Sequence, residues 1–134
     1  MMLNRPELYV IDSTEAKCIA EECSYGDWLV IFLPIEIASE NQFYDAIRST
    51  CPLDPPLYSN RSWDALADSM WSGLDELEQE KIVIFWPNSD RMKAAEPEAF
   101  AIATDILTDL CTSLTDPNVT ASGTKTPLVF QTPG

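Results

Sequence analysis

The sequence predicts an α/β fold: a small, mainly parallel sheet of three core strands, with a candidate fourth strand at the N-terminus, packed with helices. Two observations carry this expectation. Trp28 to Leu33 and Lys81 to Trp86 are apolar on both faces, the pattern of strands buried on two sides rather than of a sheet with one wet face. Stretches of helical periodicity separate the strands, and they supply the crossovers that parallel neighbours need. The 134 residues amount to one ordinary domain, long enough to bury a core without metal or disulfide staples.

Taken in order, Glu7 to Asp12 is the N-terminal strand candidate. Ser13 or Thr14 then precedes a helical stretch to about Glu22, and Ser24 to Asp27 reads as a turn. Trp28 to Leu33 is the first core strand. Ser39 can cap a helix from Glu40 to about Thr50, with Phe43, Ala46 and Ile47 on its inner side. Pro52, Pro55 and Pro56 make an extended linker. Ser62 is placed to cap a helix from Trp63 to about Leu77. Ile82 to Trp86 is the second core strand, ended by Pro87 and Asn88, and a loop runs on to about Glu96. Pro97 suits the first turn of a helix that reaches about Leu114, with Phe100, Ala103, Ile106, Leu107, Leu110 and Cys111 inward. Asp116 to Lys125 is a loop rich in Thr, Ser, Gly and Pro, and Pro127 to Gln131 is the third core strand.

Charge narrows the function. Twenty-two acids against eight bases give a formal net charge of −14, a field that repels nucleic acid and anionic membrane and attracts basic partners. The chain has no histidine, which removes the commonest general base and metal ligand and excludes Ser-His-Asp and Cys-His catalysis. The four cysteines, Cys18, Cys23, Cys51 and Cys111, form no CxxC pair and no zinc-ligand spacing. The expectation is therefore free thiols, no metal and no cofactor. Met1 to Val10 lacks the pattern of a signal peptide, and the longest apolar run, Trp28 to Ile35, is too short to cross a bilayer. These features point to a cytoplasmic protein.

The segment from Leu57 to Leu74 carries the functional signal. At about 100° per residue, Trp63, Leu66, Met70, Leu74 and Leu77 share one side of the helix, and Asp64, Asp68, Trp71 and Asp75 share a narrow stripe away from it. Asp64 and Asp68 are one turn apart, where like charges cost a few tenths of a kcal/mol. Asp64 and Ser72 occupy the places four residues either side of Asp68, so nothing basic relieves it there. Solubility alone would not put Trp71 in an acidic stripe, nor Tyr58 just before it. Acid beside aromatic is the composition of an interface hot spot against a basic surface.

Here the sequence resembles the barstar family of ribonuclease inhibitors and toxin-neutralising immunity proteins. That family's pattern is an aromatic, a glycine-containing loop, then Leu-Asp-Ala-Leu-x-Asp opening a helix. This chain has Tyr58, then Ser59 to Ser62, then Trp63-Asp64-Ala65-Leu66-Ala67-Asp68, and later the strand Ile82 to Trp86 ending in tryptophan. The order of elements agrees from Trp28 to Gln131. The resemblance implies a barstar-like core over residues 28–131, preceded by an extension over 1–27, within a single domain. It also implies that the acidic helix and its loop plug the active site of a nuclease toxin, carboxylates standing where substrate phosphates would sit. That role carries to Asp64 and Asp68, and less directly to Tyr58. A further acid on the last helix corresponds to Asp105 or Asp109. The family's loop glycine is Asn60 here, a residue that tolerates a left-handed backbone, and its asparagine before the helix is Ser62.

The expected function is an acidic inhibitor or immunity protein that blocks the basic active site of a nuclease toxin, a ribonuclease foremost. The partner-binding residues are Tyr58, Asn60, Ser62, Asp64, Asp68, Trp71 and Asp75, with Asp105 and Asp109 as further candidates and no catalytic residue. Two alternatives stand beside it. One is a regulatory protein of the same fold for a basic partner that is not a nuclease. The other is a hydrolase holding Mg²⁺ between Asp64 and Asp68, which a lack of accompanying Lys or His on that helix disfavours.

Overall fold

The computed structural model describes residues 5–120 and 123–134. Positions 1–4 of the N-terminal segment and 121–122 of the loop expected over Asp116 to Lys125 lie outside the described residues. The elements run β1 (Leu8–Val10), α1 (Ser13–Ser24), β2 (Trp28–Phe32), α2 (Glu40–Thr50), α3 (Trp63–Asp75), β3 (Lys81–Pro87), α4 (Asp90–Ala95), α5 (Pro97–Ser113) and β4 (Thr126–Thr132).

The four strands form one sheet in the order β1-β4-β3-β2, and every neighbouring pair is parallel. Val83 at the centre of β3 lies beside Val30 of β2 and Leu128 of β4. Alternation along β3 explains why it reads as apolar throughout. Ile82, Ile84 and Trp86 enter one core and Val83 and Phe85 another, all five at most 3 % exposed. The first core lies under α2, α3 and α5. The second lies under α1, whose Ile19 and Cys23 meet Val83, Phe85, Leu128 and Phe130. The N-terminal strand candidate is the fourth strand, paired with β4 from Leu8 to Val10.

Two local expectations need correction. The cap of α1 is neither Ser13 nor Thr14 but Asp12, whose carboxylate accepts from the Glu15 N–H at 2.8 Å. The loop expected between Asn88 and Glu96 contains the short helix α4. Asn88 turns the chain in the left-handed region at φ 56°, and the N–H groups of Ser89 and Asp90 donate to the carbonyls of Thr132 and Pro133. These bonds to the end of β4 start α4 and bury Met92 completely, a tertiary effect that outweighs local preference.

The linker between α2 and α3 lies directly on α3. The Asp54 N–H donates to the Ser69 carbonyl at 3.0 Å, and the Asp54–Pro55 bond is cis. A Cβ on Gly73 would stand 2.2 Å from the Pro52 carbonyl oxygen, so only glycine permits this approach.

Candidate functional site

α3 begins where the sequence places it. Ser62 is its N-cap, and its hydroxyl accepts from the Ala65 N–H at 3.1 Å, a bond worth about 1 kcal/mol. Leu66, Met70 and Leu74 seat the helix on the sheet side, and Ser69 and Gly73 are buried beside the linker. Held on these two sides, the helix leaves Asp64 and Asp68 exposed. Asp64 sits in the first turn, where the helix dipole favours a carboxylate, and Asp68 lies a turn deeper. Among the described residues the ion pairs are Arg5–Glu7 and Arg48–Asp45, and neither involves Asp64 or Asp68.

An aromatic cluster backs the start of α3. Trp63 packs against Tyr44 at 4.9 Å and Phe43 at 6.0 Å between ring centres. Phe43 meets Trp86 at 5.1 Å, and Trp86 meets Phe100 of α5 at 5.3 Å. Such pairs each add about 0.5–1.5 kcal/mol beyond area burial. Glu40 joins three helices at this point. Its carboxylate accepts from the Trp63 indole N–H at 3.0 Å, and its own N–H donates to the Glu96 carboxylate at 3.0 Å. Burial pushes the Tyr44 phenol up to about 12, helped by the Glu40 charge and opposed by Arg48, so it stays neutral.

The loop before α3 presents Tyr58, which is 91 % exposed. Asn60 does not replace a left-handed glycine. Asn88 is the one non-glycine residue with positive φ among the described residues, and Asn60 instead uses its side chain, accepting from Arg48 and donating to Asn41 at 3.2 Å.

Two residues of the expected stripe sit differently. Asp75 has the right angle around the helix but is 3 % exposed, so it is not a group a partner reaches. Pro52 and Leu53 press on Gly73, and the buried Lys125 donates through Nζ to the Leu77 carbonyl, so the end of α3 is enclosed where its first two turns are open. Trp71 is half-buried and packs against the core, so its ring is partly a wall of that core rather than a free anchor. Asp105 and Asp109 are exposed on α5, on the side opposite its buried Ala103, Leu107 and Leu110.

Beyond Asp54, at the other end of the linker contact, lies Glu76. Its carboxyl is raised above the usual carboxylate range by a hydrogen bond to Asp54, then by the charges of Asp54 and Asp75. The four cysteines are free, with Cys18 exposed and the other three buried. Burial pushes the Cys51 and Cys111 thiols up to about 11 and about 12, which keeps them protonated and inert. Among the described residues no group of three or more His, Cys, Asp or Glu could hold a metal ion, and no helix is long and apolar enough to cross a membrane.

Sequence reasoning missed Arg48, Glu40 and Glu96, which hold the site without standing in its stripe. Arg48 had one local signal, its place three residues after Asp45 in the last turn of α2.

No curated protein and no solved structure matches the chain. A family model described as Barstar (barnase inhibitor) matches residues 32–126, from the last residue of β2 to the first of β4. The match takes in α2, the linker, the exposed acids of α3, β3 and α5, and over this span the chain belongs to the barstar family.

Proposed function

We propose that this chain is a non-catalytic acidic inhibitor that covers the basic active site of a nuclease, a ribonuclease foremost, with α3 and the loop before it. The observation that carries this reading is the pair Asp64 and Asp68. They stand exposed one turn apart on a helix fixed from behind, and no cation among the described residues pairs with them. Leaving two like charges so arranged costs the free protein stability, and a basic partner repays it. In the complex each carboxylate would face an Arg or Lys that otherwise holds substrate phosphate, and Tyr58 would supply an aromatic contact. The net charge of −14 would steer the encounter, with Asp105 and Asp109 acting on association rate more than on affinity. On this reading the protein acts in a reducing cytoplasm as the antidote to a toxin, where its thiols stay free.

The test is titration into barnase, the nuclease in the family's description, while RNA cleavage is followed; a panel of other basic nucleases comes next. Stoichiometric loss of cleavage is expected. Asp64→Asn and Asp68→Asn should each weaken binding by about 2–5 kcal/mol, with melting temperature unchanged or raised. That range is borrowed from charge pairs in this family's own complex. Asp68 should matter more, because it lies deeper along the helix. Unchanged affinity in both variants, or loss only through unfolding, would make α3 a solvated face and defeat the reading.

A further inference from the structure

Arg48 is a base in the last turn of α2, with its side chain 29 % exposed. Its Nη2 donates to Asp45 Oδ1 at 2.7 Å and to the side-chain oxygen of Asn60. Its Nη1 donates to the Leu57 carbonyl at 3.4 Å. Asn60 is fastened a second time, through its Nδ2 to Asn41 Oδ1 at 3.2 Å. Leu57 is itself buried, at 8 % exposure. The chain is therefore tied at the Leu57 carbonyl immediately before Tyr58 and by the Asn60 side chain two residues after it, while Tyr58 itself is exposed. Tyr58 lines a cleft of about 340 Å³ together with Arg48, Leu53 and Pro56.

We propose that Arg48 is the positioning residue of this loop. It holds Leu57 to Asn60 against α2 and so fixes where Tyr58 stands relative to Asp64 and Asp68. The proposal deepens the inhibitor reading and rests on it for the role of Tyr58. The bond to Asp45 is a local i,i+3 pair at the surface, which by itself contributes little. The bonds that matter span nine and twelve residues of sequence, and they need two terminal nitrogens directed at separate acceptors. The planar guanidinium has that fork, and the ammonium of lysine, a point charge on a flexible stem, does not. With the latch in place the loop is ordered before a partner arrives, so that ordering is not deducted from the binding energy.

The test uses Arg48→Met, Arg48→Lys and Asn60→Ala in the full chain. All three should lower the backbone NMR order parameters of Ser59 to Arg61 toward the flexible range below about 0.6, while α3 keeps rigid values of about 0.85. Against barnase, all three should dissociate faster, and Tyr58→Ala should cost less affinity in the Arg48→Met background than in the parent, since an unfixed ring has less to lose. Three results would overturn the proposal: unchanged loop order parameters in Arg48→Met, a loop in Arg48→Lys as ordered as with arginine, or an equal cost of Tyr58→Ala in both backgrounds. If the parent does not bind barnase, the inhibitor reading fails for that nuclease, and the loop order parameters alone decide the latch.

Discussion

On one face of the sheet α2, α3 and α5 close over Ile31, Leu33, Ile82, Ile84, Trp86 and Val129, while on the other α1 alone covers Val83, Phe85, Leu128 and Phe130. The single helix leaves a groove of about 580 Å³ between itself and the end of β2, where Phe32 stacks on Phe85 at 5.0 Å and remains 56 % exposed. The family match begins at residue 32, so the helices over the crowded face belong to the matched segment, whereas α1, the helix over the thin face, precedes it. The difference teaches what the acidic pair requires. Asp64 and Asp68 repel one another by a few tenths of a kcal/mol, and α3, braced against both the sheet and the linker, holds them one turn apart. The N-terminal layer carries no such load and can be thin.

The comparison can be broken most forcefully at the core. Trp86→Ala removes the ring between Phe43 and Phe100 and should cost about 3–5 kcal/mol in denaturant unfolding. Ile19→Ala, on the thin face, should cost about 2–5 kcal/mol, toward the low end because the neighbouring groove lets the site collapse. The sharper contrast is in binding. At temperatures where both variants remain folded, Ile19→Ala should keep parental affinity for the proposed nuclease partner and Trp86→Ala should not. Equal loss in both would mean that the two layers are not independent.

A smaller effect tests the brace. Gly73→Ala adds a better helix former, worth about 1 kcal/mol in isolation. The new methyl group meets the Pro52 carbonyl, however, so a net loss of about 1–3 kcal/mol is expected in a melting experiment. A gain in stability would show that the linker is not seated on α3.

The smallest effect is electrostatic. Because the Glu76 pKa is raised in the fold, its contribution to stability is fully present below its ordinary value of 4.5 and is lost as pH rises through the raised value. Glu76→Gln should remove this dependence, so the variant gains on the parent as pH rises through that window. An unchanged difference between parent and variant across the window would contradict the carboxyl–carboxyl contact with Asp54.

The sequence made the strands legible because burial on two faces leaves a continuous apolar run, and the structure pairs Trp28–Phe32, Lys81–Pro87 and Thr126–Thr132 as parallel neighbours. It made the first two turns of α3 legible because helical angle alone decides exposure there. The angle failed at Asp75, since burial at the end of the helix depends on Pro52 and on Lys125, some fifty residues later. Arg48 was illegible for a similar reason. Its local pattern is that of an ordinary last-turn base, and its partners at Leu57 and Asn60 belong to a loop without periodicity. Likewise, α4 starts against the carbonyls of Thr132 and Pro133, which no window around Asp90 contains.

The place of β4 in the sheet has a consequence for synthesis. Among the described residues it is the last strand in sequence, yet it lies between β1 and β3, and β1 pairs with no other strand. A chain emerging from the ribosome can form α1 and pair β2 with β3, but β1 must wait for residues 126–132. Until then one edge of β3 is open and the face under α1 lacks Leu128 and Phe130. Closure of the sheet is thus a long-range, late event of the kind that folds slowly and exposes strand edges meanwhile. Truncations that remove residues 125–134 should therefore be read as losses of the layer built on β1 as much as of β4.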